Sequence, residues 1–355
     1  MNLQGTSPLP GLFCSQNNKL IKLNNMKSSR RKFLINLSTT AAGISIVPSL
    51  SALSNTGIVK NELFFKISLA QWSLYRTFFG TNLMQGMAYF RDPEANKDKP
   101  LPGEKDPLDF PIIARRDFGI DGVEYVNTFF FSRARDEKYL TELKKRCDGE
   151  GVTSVLIMCD AEGALGDPDE AKRKQAVENH HKWIEAAKFL GCHSIRVNAQ
   201  SRGEFEEQMK LAADGLAMLS EYGEKFEINV IVENHGGLSS NGKWLVGVME
   251  LVNHPRCGIL PDFGNFRVSR DEEYDKYEGV KEFMPWSKGV SAKSRTFDEE
   301  GNEIETDFYK MLQIVKDAGY TGYIGIEYEG RELSEYEGIM ATKKLLEKAG
   351  AALSV

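Results

Sequence analysis

Thr306-Asp307-Phe308-Tyr309-Lys310-Met311-Leu312-Gln313-Ile314-Val315-Lys316-Asp317-Ala318-Gly319-Tyr320-Thr321-Gly322-Tyr323-Ile324-Gly325-Ile326-Glu327 reads as one helix followed at once by one strand. Thr306-Asp307 supplies a helix start, and Phe308, Met311, Leu312, Ile314 and Val315 recur at helical spacing behind it. Gly319 stops the helix just before a short apolar run that ends in a glutamate. A helix so closely joined to a buried strand is the repeating piece of an α/β protein with a parallel sheet.

The same alternation extends upstream. Strand-like runs fall at Phe65 to Gln71, Gly122 to Tyr125, Thr153 to Met158, Ser194 to Val197, Asn229 to Glu233, Gly258 to Asp262, Gly289 to Lys293 and Tyr323 to Glu327. Between the third and fourth, Asp167-Pro168-Asp169-Glu170 offers an N-cap aspartate and an N1 proline for a helix running through Trp183 and Ile184 to Leu190, closed by Gly191. Eight strands in series predict a closed (β/α)8 TIM barrel, a single domain over residues 62–355. The segment from Arg76 to Pro107, with Gly80, Gly86, Pro93, Pro100, Pro102 and Gly103, is too long for an ordinary connection and is expected to be an insertion at the barrel mouth. Met84, Met87, Tyr89 and Phe90 give it something to pack with.

Ser29-Arg30-Arg31-Lys32-Phe33-Leu34 precedes an apolar, small-residue stretch from Ile35 to Leu50, in the pattern of a twin-arginine export signal. Asn36, Ser38, Thr39, Thr40 and Pro48 make that stretch too polar for a comfortable membrane span, and Ser51-Ala52 offers small residues for cleavage. Residues 1–55 are therefore expected to be a removable signal and linker, with residues 1–25 an over-extended start upstream of Met26. The mature chain is expected to be periplasmic or otherwise extracytoplasmic, with no stable membrane anchor. Cys147, Cys159, Cys192 and Cys257 show no CxxC spacing and are expected to be core thiols rather than disulfides.

The net charge of -6 is well interspersed over 51 acidic and 45 basic residues. It offers no basic face for nucleic acid, so a small-molecule carbohydrate is the expected partner, and a homo-oligomer is neither required nor excluded. In a barrel the active site stands at the carboxyl ends of the strands. There the fifth strand ends in Val232-Glu233-Asn234-His235-Gly236-Gly237, the sixth in Pro261-Asp262-Phe263-Gly264-Asn265, the seventh in Ser291-Ala292-Lys293, and the eighth in Glu327-Tyr328-Glu329. Carboxylates gathered in a partly buried mouth repel one another and lose hydration unless a cation or shared protons neutralise them. A divalent metal is the simplest solution: oxygen ligands favour Mg or Mn, and a histidine in the set would admit Zn or Co.

These residues, with Ser68-Leu69-Ala70-Gln71-Trp72-Ser73 on the first strand and the Gly319 to Glu327 block on the last, resemble the xylose-isomerase-like barrels known as sugar phosphate isomerases/epimerases. The resemblance implies a metal held by a fifth-strand Glu, a sixth-strand Asp, a seventh-strand His and an eighth-strand Glu, the two glutamates also moving protons. Position by position these are Glu233, Asp262 and Glu327, while Ser291 stands where the family has its histidine, two residues before Lys293. Three completions stay open: carboxylates and water alone, His235 joining as ligand, or Lys293 supplying the positive charge in place of a metal.

Such a site polarises a sugar carbonyl and removes the adjacent C–H proton, giving isomerisation or epimerisation with Glu233 and Glu327 as base and acid and Lys293 assisting. Loss of a substituent from the same intermediate would make the chain a 3-keto-glycoside lyase or hydrolase, and loss of the chemistry a sugar-binding barrel. Export argues for a non-phosphorylated sugar. Trp72, Arg196, Asn198, Asn234, His235 and Asn265 are candidate substrate contacts, and Glu124 is a further polar residue on the second strand. No GxSxG elbow occurs, so a nucleophilic triad is not expected. Five histidines, one at a strand end, are too few for a three-metal nuclease site.

Overall fold

The computed structural model describes residues 62–81, 92–96 and 99–354. The export-signal reading and Met84, Met87, Tyr89 and Phe90 of the insertion lie outside the described residues.

Eight strands form where the apolar runs fall: β1 Lys66–Ala70, β2 Gly122–Val126, β3 Thr153–Met158, β4 Ser194–Val197, β5 Asn229–Glu233, β6 Cys257–Leu260, β7 Val290–Ser294 and β8 Tyr323–Tyr328. All pair in parallel, in the order β6-β5-β4-β3-β2-β1-β8-β7. β6 stops at Leu260, two residues before the expected Asp262, because Pro261 has no N–H to continue the ladder. The sheet still curls shut across that gap through isolated bridges from Ile259 to Ser287 and from Asp262 to Ser291. The amide of Ser291 donates to the Pro261 carbonyl at 2.9 Å, and Phe263 N donates to the Ser291 carbonyl at 3.0 Å. The seam of the barrel thus runs through Asp262 and Ser291.

Each strand is followed by a helix: α1 Phe110–Phe118, α2 Glu137–Glu150, α3 Glu170–Leu190, α4 Phe205–Lys225, α5 Gly242–Val252, α6 Lys276–Phe283, α7 Phe308–Asp317 and α8 Glu335–Leu353. α7 starts as the sequence suggests, with Asp307 accepting from the amides of Tyr309 and Lys310. It buries Phe308, Met311, Leu312 and Val315 against the sheet, each worth roughly 1.5–3 kcal/mol of transfer free energy. α3 begins two residues later than Asp167-Pro168 indicates. Asp169 is its N-cap and accepts from Ala171 and Lys172, while Asp167 is used one turn earlier, accepting from the Asp169 amide. Gly191, at φ 83°, closes it in the left-handed conformation that glycine adopts at little cost.

The described part of the insertion is tied down at its base. The Glu335 carboxylate accepts from the amides of Arg76 and Thr77 and from the Thr77 hydroxyl, and Gly103 N donates to the Phe78 carbonyl at 2.9 Å. Cys147, Cys159, Cys192 and Cys257 are buried free thiols, as the sequence implies. Among the described residues, no helix is long and apolar enough to cross a membrane.

Candidate active site

Parallel register brings the polar strand ends to one point. Lys293 pairs with Glu327 and Ser291 with Gly325 across β7 and β8, while Glu233 is the last residue of β5. Glu233, Asp262 and Glu327 are all buried and each offers an oxygen within 4.8 Å of the others. The convergence read from the sequence is therefore present in the structure.

Lys293 lies within this group, 2% exposed. Its Nζ is 3.5 Å from Glu327 Oε1, 3.5 Å from Glu329 Oε1, 3.9 Å from Asp262 Oδ2 and 4.0 Å from Glu233 Oε1. Burial opposes its charge, but the surrounding carboxylates outweigh that and hold its pKa above the ordinary lysine value. The same burial raises Glu233 to about 7 against the pull of Arg196, and raises Asp262 to about 7 against the pull of Lys293. Ser291 Oγ sits 2.6 Å from Asp262 Oδ2 and 2.9 Å from Glu327 Oε2. One hydroxyl proton serves only one of these at a time, so the second contact is favourable when a carboxyl carries a proton or a cation neutralises the pair.

Arg196, expected from the sequence to contact substrate, is 3% exposed and engaged with two carboxylates. Its Nε is 2.7 Å from Glu233 Oε2, and its NH1 is 3.1 Å from Asp160 Oδ1. Asn198 joins it, donating to Asp160 Oδ1 at 2.9 Å. Asn234, also an expected substrate contact, is hydrogen-bonded within the protein. Its side chain donates to the carbonyls of Asp262 and Asn265 and accepts from the Asp262 amide at 2.7 Å, bonds that fix the segment after β6. Asn265 donates to Glu233 Oε1 at 3.0 Å. Trp72 stacks on Tyr75, with ring centroids 5.2 Å apart, and its Nε1 donates to Glu329 Oε1 at 2.8 Å. His235 falls outside the carboxylate group and lines a cleft beside it, exposed.

Two functional-looking residues were missed from the sequence. Glu329 stands two residues beyond Glu327 and so shares its face of β8, a period-two signal available in Glu327-Tyr328-Glu329. Asp160, two residues past the end of β3, was hidden because Met158-Cys159 reads as core. Glu124 also reaches inward from β2, accepts from the Ser68 hydroxyl at 2.6 Å and is raised by burial to about 8.

The donor set fits a divalent cation. Among the described residues, Glu233, Asp262, Glu327, Glu329 and Asp160 face Lys293, Arg196 and Arg295 as cations, five carboxylates against three positive charges, and Glu233 Oε2 is ion-paired with Arg196 but accepts no hydrogen bond.

A (β/α)8 barrel with carboxylates from successive strands converging on its carboxyl-end mouth defines the class. The particular family follows from comparison: the chain belongs to the xylose isomerase-like TIM barrel family, whose model matches residues 113–349. The chain is 26% identical to the putative hydroxypyruvate isomerase of Mus musculus over 160 residues, which is 41% of this chain and 57% of that protein. The match thus spans less than two thirds of that relative. Among solved structures, the fold is similar to 3-keto-D-glucoside 4-epimerase YcjR from E. coli, with TM-score 0.55 and 15% identity over 68% of this chain and 94% of that one. It is also similar to an L-ribulose 3-epimerase, with TM-score 0.58 and 14% identity over 82% and 95%.

Proposed function

We propose that this chain is a sugar isomerase or epimerase that moves a proton at the carbon next to a carbonyl of a non-phosphorylated sugar. The observation that carries the reading is Lys293 Nζ lying between Glu327 Oε1 at 3.5 Å and Glu233 Oε1 at 4.0 Å, a buried cation flanked by two carboxylates. Lys293 donates to the substrate carbonyl oxygen and stabilises the charge that develops there when the adjacent C–H proton leaves. Glu233 or Glu327 takes that proton, and the electron pair of the C–H bond becomes the C=C bond of an enediolate. Return of a proton by the other glutamate to the opposite face of the same carbon inverts it. Return to the neighbouring carbon, with the hydroxyl proton passing between the oxygens, exchanges aldose and ketose.

Glu233, Asp262 and Glu327 would hold a divalent ion, Mg, Mn, Zn or Co, which when bound supplies Lewis-acid polarisation of the carbonyl and its neighbouring hydroxyl. Arg196 and Asn265 hold Glu233 in place. Two clefts, one walled by Asn265 and the other by Asp160, leave room for a leaving group, and this supports a second reading: a 3-keto-glycoside lyase or hydrolase that expels the substituent from the same enediolate. The arginine pair Arg30-Arg31 supports export, tested by fusing residues 1–55 to a reporter and replacing both arginines with lysine.

The deciding experiment is NMR in heavy water with free and 3-keto sugars. Deuterium entering the carbon next to the carbonyl with mass otherwise conserved supports the isomerase or epimerase, and two fragments assign cleavage. Binding without exchange, unchanged by Glu327→Gln, leaves only a sugar-binding barrel.

A further inference from the structure

The loop after β5 divides the barrel mouth. His235 lines the cleft on one side, about 480 Å³, and Gly236 lines the cleft on the other, about 680 Å³. The two clefts are lined by different charged residues. On the His235 side the described lining carries Asp160 and Glu162, ion-paired with Arg196 at 3.1 Å and Lys182 at 2.9 Å, together with Asp92 and Glu94. On the Gly236 side stand Arg267, Lys276 and Arg295, with Glu273 and Glu305 the acidic residues.

The cations of the second cleft are incompletely matched. Glu305 is committed to Arg295, Oε2 to NH1 at 3.0 Å, and Glu329 lies 3.8 Å from Arg295 NH2. Lys276 Nζ donates only to neutral oxygens, the Glu305 carbonyl at 2.8 Å and Thr306 Oγ1 at 3.3 Å. Among the described residues, no carboxylate pairs with Arg267 or Lys276. This cleft also borders the reacting groups, for Asn265 in its wall donates to Glu233, and Gly264 lies against the Lys293 stem.

The opposite cleft offers acceptors rather than free cations among the described residues. Asp160 has both its hydrogen bonds, from Arg196 and Asn198, on Oδ1, which leaves Oδ2 as a free acceptor at the cleft wall. With Asn198, Gln200 and His235 beside it, that wall matches hydroxyl groups.

We infer that the mouth is polarised to hold a sugar acid, its carboxylate in the Arg267, Lys276 and Arg295 cleft and its neutral hydroxylated end against Asp160, with the reacting carbons between. The inference rests on Glu233 and Glu327 as the reaction centre, and it adds the substrate class and the direction of binding. Charge-assisted hydrogen bonds from guanidinium and ammonium to carboxylate supply affinity, and a reversed pose gives up the Arg267 and Lys276 partners and sets the carboxylate against Asp160.

The test is calorimetric titration of the full chain at low salt with D-glucuronate and D-galacturonate, each against its neutral hexose and the matching amino sugar. A uronate should bind about tenfold tighter than its hexose, and the ratio should approach one in Arg267→Gln/Lys276→Gln. If that variant does not fold, the wild-type ratio should itself fall steeply as salt rises. Equal binding of acid and hexose, preference for the amino sugar, a preference that survives both the substitutions and salt, or failure of every sugar to bind overturns the inference. Proton exchange on neutral sugars without a uronate preference would leave the reaction centre standing and sink only this polarity. A uronate preference without exchange would do the reverse.

Discussion

Lys293 and Glu327 are register partners on β7 and β8, and the ammonium of the first lies 3.5 Å from Oε1 of the second. Neighbouring parallel strands hold the pair side by side, so its geometry belongs to the sheet and not to a loop. Lys293→Met should lower deuterium exchange about 10²–10³-fold, the usual loss when a preorganised donor to a developing oxyanion is removed. The variant should also lose stability, since it leaves buried carboxylates unmatched. Exchange measured on protein shown to be folded by circular dichroism checks this, and retention of more than half the wild-type rate would rule Lys293 out of the chemistry.

Ser291 stands between Asp262 and Glu327, its Oγ 2.6 Å from one carboxylate and 2.9 Å from the other. Ser291→Ala removes the sole hydroxyl between two buried carboxylates and should cost about 1–3 kcal/mol in urea unfolding. Ser291→His should raise Mn affinity, because an imidazole nitrogen is a better ligand than a serine hydroxyl. Unchanged affinity in a folded Ser291→His protein would count against an ion held by these three carboxylates.

Glu233 and Asp262 are both raised to about 7, chiefly by burial. Between the ordinary carboxylate range and about pH 7 the folded chain keeps protons that the unfolded chain has released. Stability contributed by these two groups is therefore full at low pH and lost as pH rises to about 7. Asp160 and Glu329 are lowered, by Arg196 and by Lys293 with Arg295 respectively, each against the effect of burial, so their contribution is lost at the acid end instead. In chelator, Tm should fall from about pH 5 to about 7.5, and saturating Mn should reverse most of that fall because the ion replaces the protons. A Tm in chelator that holds level or rises across this window would refute the assignment.

Much of this was legible in the sequence because strands and their ends obey local rules. All eight strands were located, and Glu233, Asp262, Glu327 and Lys293 were found by asking what stands at the carboxyl ends. What escaped was decided by long-range partners. Arg196 and Asn234 read as substrate contacts from their rim positions, but the partners that engage them stand dozens of positions away in sequence, Asp160 and Glu233 for the one and Asp262 for the other. Asp160 itself gave no signal beyond being polar after a strand. The start of α3 moved to Asp169 because either aspartate could cap, and only packing chose between them.

Asn234 makes a prediction opposite to that of a binding residue. Asn234→Ala strips hydrogen bonds from the Asp262 amide and from the Asp262 and Asn265 carbonyls, costing about 1–3 kcal/mol. Because those bonds position Asp262 and Asn265 rather than substrate, turnover should fall while KM changes little. A large rise in KM with unchanged turnover would return Asn234 to the substrate.

Gly325 on β8 leaves room for the Glu124 carboxylate: a Cβ built there would come within 2.5 Å of both Glu124 oxygens. Glu124 is fully enclosed, hydrogen-bonded by Ser68 and raised by burial to about 8, so it has little freedom to retreat. Gly325→Ala should therefore cost roughly 1–3 kcal/mol through overpacking, and Glu124→Ala should also destabilise, by opening a space beneath the carboxylates. The two together should cost clearly less than their sum, because the methyl group fills part of what the lost carboxylate vacates. Denaturant unfolding of the four proteins in the cycle gives the coupling directly. Additive costs would mean that Gly325 is required by the strand backbone itself and that Glu124 does not depend on its missing side chain.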